Sequence, residues 1–293
     1  MNDNTHEVEL PAGWREYSDI EYVFRPHDNS MPPAGAYLKS VIERWPFVVE
    51  NARAQLKSPY SGTVLGQAWR VIDPIFQALI YWFLFTAIRG TSNSAYFLMV
   101  VSGVFLFNFS MTALGQGGRS IQRSRGLVLN SAFPLATLPL STLYQALLTV
   151  GPMMAVYAVF HVVFGGAIGP GLALIPLLFV LQVAISIGVM LIFATLTVYV
   201  RDMSNVLDYI MRVLMFVTPV LYPVDQLAQA PAALRAVLVL NPFYALFAAY
   251  QAAFGGGVPT FGQILQASFW ALVLPVIGFR FFVSRERGFA MRL

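Results

Sequence analysis

Apolar residues run through this chain in long blocks, and the polar positions mark where the blocks end. Between Arg125 and Arg201 lie 75 residues without one Asp, Glu, Lys or Arg. A water-soluble domain of that length needs charge to wet its surface, so the solvent this stretch expects is hydrocarbon. It suffices for two crossings of about 20 residues each. The Gly165-Gly166-Ala167-Ile168-Gly169-Pro170-Gly171 cluster marks the turn between them. Along the whole chain six apolar segments stand out, at about 71–89, 95–116, 135–163, 172–200, 206–223 and 263–283. The pattern predicts an all-α integral membrane protein with six transmembrane helices per protomer, filling a domain over 67–293. The fifth segment carries Asp208 and Arg212, four apart with the acid first, a spacing that lets them pair on one helix face.

The flanking pattern changes twice. Residues 1–33 are polar, mixed in charge and without period, and read as a cytoplasmic tail. Over 34–66 the period becomes helical. Tyr37, Leu38, Val41, Ile42 and Trp45 oppose Lys39, Glu43 and Arg44, and after Pro46 a second stripe of Phe47, Val48, Ala52 and Leu56 opposes Glu50, Arg53 and Lys57. Amphipathic helices with Trp and basic residues suit a membrane interface; packing on a partner is the alternative. Between the last two spans, Pro231–Leu240 and Phe243–Phe254 are apolar but each too short to cross, and Asn241-Pro242 separates them. The region 226–254 is therefore expected to form two short re-entrant helices on the extracytoplasmic side, a gate whose hinge and rim would be Tyr222, Asn241, Pro242 and Tyr244.

Charge orients the bundle. Of 18 Lys and Arg residues, 15 fall before the first span, in the second–third and fourth–fifth loops, or at the C-terminal end. By the positive-inside rule both termini face the cytoplasm of a multi-pass inner-membrane protein. Only 11% of residues are charged and the mean hydropathy is +0.65, against about 25% charged in soluble domains. There is no cysteine, which removes disulfides and thiolate metal sites. No phosphate-binding GxxxxGK[ST] loop, HExxH or nucleophile elbow is present, so the chain is not expected to be an enzyme or to hold a metal. Carboxylates within the spans are scarce, which disfavours an ion-coupled secondary carrier.

Specific runs then resemble a family. Leu56-Lys57-Ser58-Pro59-Tyr60-Ser61-Gly62-Thr63-Val64-Leu65-Gly66-Gln67-Ala68-Trp69 followed by Asp73-Pro74 resembles the entry to the first span of ABC-2-type polysaccharide exporter permeases. Val101-Ser102-Gly103-Val104-Phe105 and Asn130-Ser131-Ala132-Phe133-Pro134-Leu135 resemble its second span and the start of its third. Arg201-Asp202, Thr218-Pro219-Val220-Leu221-Tyr222-Pro223 and Leu240-Asn241-Pro242-Phe243 are the most specific, and the resemblance runs over about 46–293. It implies a homodimeric channel bound to two copies of a cytoplasmic ATPase subunit, with ATP and Mg on that partner and no cofactor on this chain. The implied substrate is a polyprenyl-pyrophosphate-linked glycan, with cell-wall galactan the favoured member. The neighbouring partners are membrane lipid and no nucleic acid. The alternative within the fold is a permease for a small drug or lipid.

A glycan slides over flat aromatic surfaces and few fixed charges. Candidate path residues are Trp69, Phe76, Tyr81 and Trp82 of the first span and Phe97, Phe105, Asn108 and Phe109 of the second; lipid-facing or core packing is the competing role for the rings. The resemblance places an ATPase-coupling helix in Arg119–Asn130. Arg119, Arg123 and Arg125 serve coupling, attract the carrier's pyrophosphate, or only anchor topology. Arg201 and Asp202 open the fifth span, with Asp202 expected to cap that helix and to contact the ATPase.

Overall fold

The computed structural model describes residues 33–58, 62–89, 94–130, 133–229, 231 and 238–293. The expected tail up to Pro32, residues 59–61 and 131–132 of the motifs, and residues 232–237 of the expected gate lie outside the described residues. Every described element is helical.

The amphipathic stripe folds as two short helices, α1 (Ala34–Glu43) and α2 (Trp45–Lys57), with Pro46 in the first turn of α2. Four-residue spacing decides what is buried: Tyr37 and Val41 on α1, then Val48, Ala52 and Leu56 on α2. Leu38, Ile42 and Trp45 of the same stripe stay exposed. The long helices follow as α3 (Trp69–Arg89), α4 (Ser94–Thr112), α7 (Thr137–Val163), α8 (Ile175–Tyr199) and α11 (Phe261–Arg285). Between α4 and α7 lie a π-turn at Ala113–Gly117 and two short helices, α5 (Ser120–Arg123) and α6 (Arg125–Asn130). The remaining helices are α9 (Met203–Val217), α10 (Tyr244–Phe254) and α12 (Phe289–Arg292).

Four stretches among the described residues are long and apolar enough to cross a bilayer: Ser94–Gly117, Thr137–Val163, Pro170–Tyr199 and Phe261–Arg292. The first and fifth expected spans fold as helices outside that set. α3 has 21 residues, and α9 has only 15, about 22 Å. The apolar run continues to Pro223, but α9 stops at Val217 because Thr218 precedes Pro219 and is driven into an extended conformation (φ −90°, ψ 135°).

Two contacts explain the packing. α8 and α11 pack along most of their length. Their backbones close on each other where Gly188 meets Leu274 and Pro275 and Gly278 meets Gly188, with no room for a methyl group. Small residues permit this in lipid, where helix association rests on close van der Waals contact. α10 lies inside the bundle rather than on its surface. Phe243, Leu246, Phe247 and Tyr250 are buried with Val100, Val104 and Phe107 of α4 and Leu178 and Ile185 of α8.

The loops sort to two ends. At one end Gly169 and Gly171 back directly onto Gly256 and Gly257; both turns use a left-handed glycine, Gly165 (φ 67°) and Gly256 (φ 83°). At the other end the Glu286 carboxylate accepts from the Leu135 backbone N–H at 2.5 Å, and the Tyr199 hydroxyl donates to the Arg285 carbonyl. The second–third loop, the α8–α9 junction and the C-terminal turn therefore share one end, the grouping that the basic residues predict.

Candidate functional site

At that shared end, Arg119 leaves the π-turn and crosses to α9. Its guanidinium donates to the Gly115 carbonyl at 3.2 Å, to the Ser204 carbonyl at 2.5 Å, and pairs with Asp208 at 2.6 Å. The side chain is 17% exposed, against 51% for Asp208. The expected Asp208–Arg212 pairing on one face is thus corrected: the buried cation from the neighbouring element takes the carboxylate, and the Arg212 guanidinium instead lies over the Tyr209 ring, 5.7 Å from its centroid. A second chain of bonds runs beside the first. Ser204 Oγ donates to Gln122 Oε1, Gln122 Nε2 donates to the Thr197 carbonyl, and Thr197 Oγ1 donates to the Gly118 carbonyl. The expected coupling segment is therefore fastened to the start of α9 and the end of α8 by side chains rather than by packing alone.

Above this lattice a groove of about 430 Å³ opens between α4 and α9, lined by Asn108, Thr112, Gln116, Arg119, Asp208 and Arg212 among others. Asn108, expected on the path, and Arg119, expected at the coupling end, thus share one groove. Asn108 Nδ2 donates to Gln77 Oε1 of α3 at 3.0 Å, which sets the amide's orientation. A π-turn at the base of such a groove is a common feature of functional helices.

The expected aromatic residues divide. Phe76 and Trp82 of α3 present free faces, 57% and 40% exposed; Trp69 and Tyr81 are half-buried. Phe97, Phe105 and Phe109 turn into the protomer. Phe97 packs on Phe160 and Phe164, Phe109 on Phe179, and Phe105 is fully enclosed. α4 is buried on nearly every side from Phe97 to Ser110, so their four-residue spacing selects no exposed face. Exposed rings that spacing did not single out, Tyr209 and Phe216, lie on α9.

Arg123 and Arg125 are exposed. Arg123 borders a separate polar cavity of about 330 Å³ with Asn51, Gln55, Ser120 and Ser124. Arg201 and Asp202 sit exposed in the turn before α9. Asp202 occupies the position before the helix, but its backbone is already helical (φ −80°, ψ −8°) rather than in the extended form usual for a cap, and its side chain makes no capping bond; this corrects the expected cap. At the end of α1, burial and the adjacent Glu286 carboxylate keep the Tyr37 phenol far above its ordinary pKa, so it stays a donor to Glu286.

The expected gate residues lie in and beside the non-helical turn Thr218–Pro223. Non-helical backbone inside a bundle needs side-chain partners, and here it has them. Asn241 Nδ2 donates to Thr218 Oγ1, Gln251 Nε2 donates to the Pro219 and Tyr222 carbonyls, Tyr96 donates to the Leu221 carbonyl, and Tyr222 donates to the Phe216 carbonyl. Asn241 Oδ1 also accepts from Phe243 N–H at the start of α10. Pro242 and Tyr244 are half-buried beside it. Gln251 was not foreseen, nor was Gln182. That buried amide donates to the Leu106 carbonyl and Ser110 Oγ and accepts from the Tyr250 hydroxyl. The available signal was a lone polar residue in an apolar run.

The chain is 26% identical over 238 residues to the O-antigen export system permease protein RfbA of Klebsiella pneumoniae, covering 80% of this chain and 90% of that one. It is 26% identical over 246 residues to the protein of the same name from Myxococcus xanthus, covering 83% and 94%. The profile of the ABC-2 type transporter family matches residues 48–254, from α2 to the end of α10, and the chain belongs to that family.

Proposed function

We propose that the chain is the membrane permease subunit of an ABC exporter that moves a lipid-linked cell-surface polysaccharide out across the cytoplasmic membrane. The observation that carries this reading is alignment along nearly the whole of two proteins named as O-antigen export permeases. The groove geometry adds to it. In this reading α3 and α9 complete six crossings, both termini face the cytoplasm, and two copies pair so that each covers the other's exposed faces. Phe76 and Trp82 on α3 and Tyr209 and Phe216 on α9 line the path between them, offering ring faces to sugar C–H groups. A charged face such as that of α9 is costly against lipid chains, which favours water and a partner protomer there.

The segment Arg119–Asn130 then docks on a separate ATPase, and its motion reaches α9 through the Arg119–Asp208 pair and the Ser204–Gln122 bond. Tyr222, Asn241, Pro242 and Tyr244 form the far-side gate. The test is depletion of the chain in its own cell, followed by identification of intracellular lipid-linked polymer. The expected result is accumulation of one such polymer, whose sugars identify the cargo, galactan included. Normal polymer traffic combined with loss of efflux of a small drug or lipid overturns the reading.

A further inference from the structure

We propose that the Tyr199–Arg285–Arg292 cluster at the basic end of the bundle is a site for an anionic membrane phospholipid, whose phosphate the two guanidiniums share. The inference rests on α11 crossing the bilayer and holds whatever the cargo. Arg285 closes α11 and Arg292 closes α12. Their guanidiniums lie over one ring, that of Tyr199, 5.4 and 4.3 Å from its centroid. The ring attracts each cation, but two cations drawn to one ring repel each other. Both residues are exposed, and neither has an ion-pair partner among the described residues. Glu286, beside Arg285 in sequence, is committed elsewhere, to the Leu135 N–H and the Tyr37 phenol. The cluster is therefore short of an anion.

Its parts are held in place. The Tyr199 hydroxyl donates to the Arg285 carbonyl at 3.2 Å, and a methyl group on Gly288 would meet that hydroxyl oxygen at 2.5 Å. Phe289 is fully buried against the rings of Phe282 and Tyr199. These contacts fix the turn Glu286–Gly288 and bring α12 back to the end of α8. The surroundings name the source of the anion. From Leu265 to Ile277 every exposed residue of α11 is apolar, a surface for acyl chains. The first exposed charge, Arg280, stands about 29 Å from the helix start, the depth of a hydrocarbon core. Arg285 lies about 8 Å farther along, at head-group level. Ile277, Phe281 and Arg285 recur four apart on one face, and the Arg285 guanidinium also lies over the Phe281 ring. A free phosphate would use the guanidinium forks and leave this apolar row unused; a phospholipid uses both.

The experiment is native mass spectrometry of the full purified chain, released from bilayers of dioleoyl phosphatidylglycerol and dioleoyl phosphatidylcholine in equal amounts. Retention of phosphatidylglycerol about tenfold or more over phosphatidylcholine is expected, because basic side chains at a membrane surface favour anionic lipid. Arg285→Gln with Arg292→Gln is expected to bring the two lipids to near-equal retention. Lys39→Gln with Arg44→Gln removes the same charge from α1 and is expected to keep the preference. Equal loss in both double variants overturns the site and leaves only general surface charge. Displacement of phosphatidylglycerol by millimolar inorganic phosphate overturns the lipid assignment. Unchanged lipid preference in Arg285→Gln with Arg292→Gln, with loss of ATPase co-purification, assigns the cluster to a protein partner and also overturns the proposal. Should that double variant fail to fold, Arg292→Gln alone decides, and wild-type preference there overturns the proposal. The readout is lipid retention, so it stands or falls separately from the depletion test of glycan export.

Discussion

Arg119 holds Asp208 across 85 or more residues of intervening chain, at 2.6 Å, and so ties the segment after α4 to the middle of α9. The pair is not isolated. Arg119 also carries the Ser204 and Gly115 carbonyls, whereas among the described residues Asp208 pairs with Arg119 alone. Arg119→Gln should therefore lower the unfolding midpoint in detergent more than Asp208→Asn does. The double variant should show a coupling of about 0.5–3 kcal/mol. Equal single effects that simply add would mean the pair is a surface contact.

The Gly188–Gly278 crossing gives a sharper contrast. Gly188→Val or Gly278→Val forces α8 and α11 apart and should cost about 1–3 kcal/mol or more. Gly262→Ala, at a position with open space around it, should fall within about 0.5 kcal/mol of the parent protein. Thermal unfolding of the three variants side by side checks the difference.

Gln182 holds α4, α8 and α10 together through a single amide. Gln182→Leu strands the Tyr250 hydroxyl and should cost about 1–3 kcal/mol. Adding Tyr250→Phe should recover part of that loss, since it removes the stranded group. Further destabilisation by the second change would show that Tyr250 finds another partner.

The aromatic residues divide by exposure, and so should their effects. Phe76→Ala and Trp82→Ala are expected to slow polymer export severalfold with ATPase association and unfolding temperature nearly unchanged. Phe105→Ala, which empties a fully buried site, should cost about 3–5 kcal/mol. Export assays read beside melting temperatures separate the two classes.

Much of this fold could be read from hydrophobic blocks and punctuation. The α7–α8 turn lies at Gly165–Pro170, α2 carries Pro46 in its first turn, and the basic loops gather at one end. Those features, α2 with Pro46 as its second residue among them, depend on neighbours in sequence. What escaped depends on neighbours in space. Asp208 has an Arg at helical spacing, yet a more buried Arg on another element takes it. Phe97, Phe105 and Phe109 recur as a stripe, but a stripe in a membrane helix marks a face without saying whether that face meets a path, lipid or the protomer's own interior. Gln182 and Gln251 stood out only as polar residues in apolar runs, and their partners, tens of residues away, assign their roles. The end of α9 was legible only in part: Thr218-Pro219 disfavours helix at Thr218, yet Pro74, Pro152 and Pro275 are carried inside α3, α7 and α11.

The glycine seam between the turns at 165–171 and 255–257 has a practical corollary. Carbonyls of one turn occupy the space where side chains of the other would begin, so an epitope tag or fluorescent insert placed between Gly169 and Gly171 has nowhere to go and should abolish expression of intact protein. Anyone marking this molecule for imaging should look instead to the open ground around Gly262.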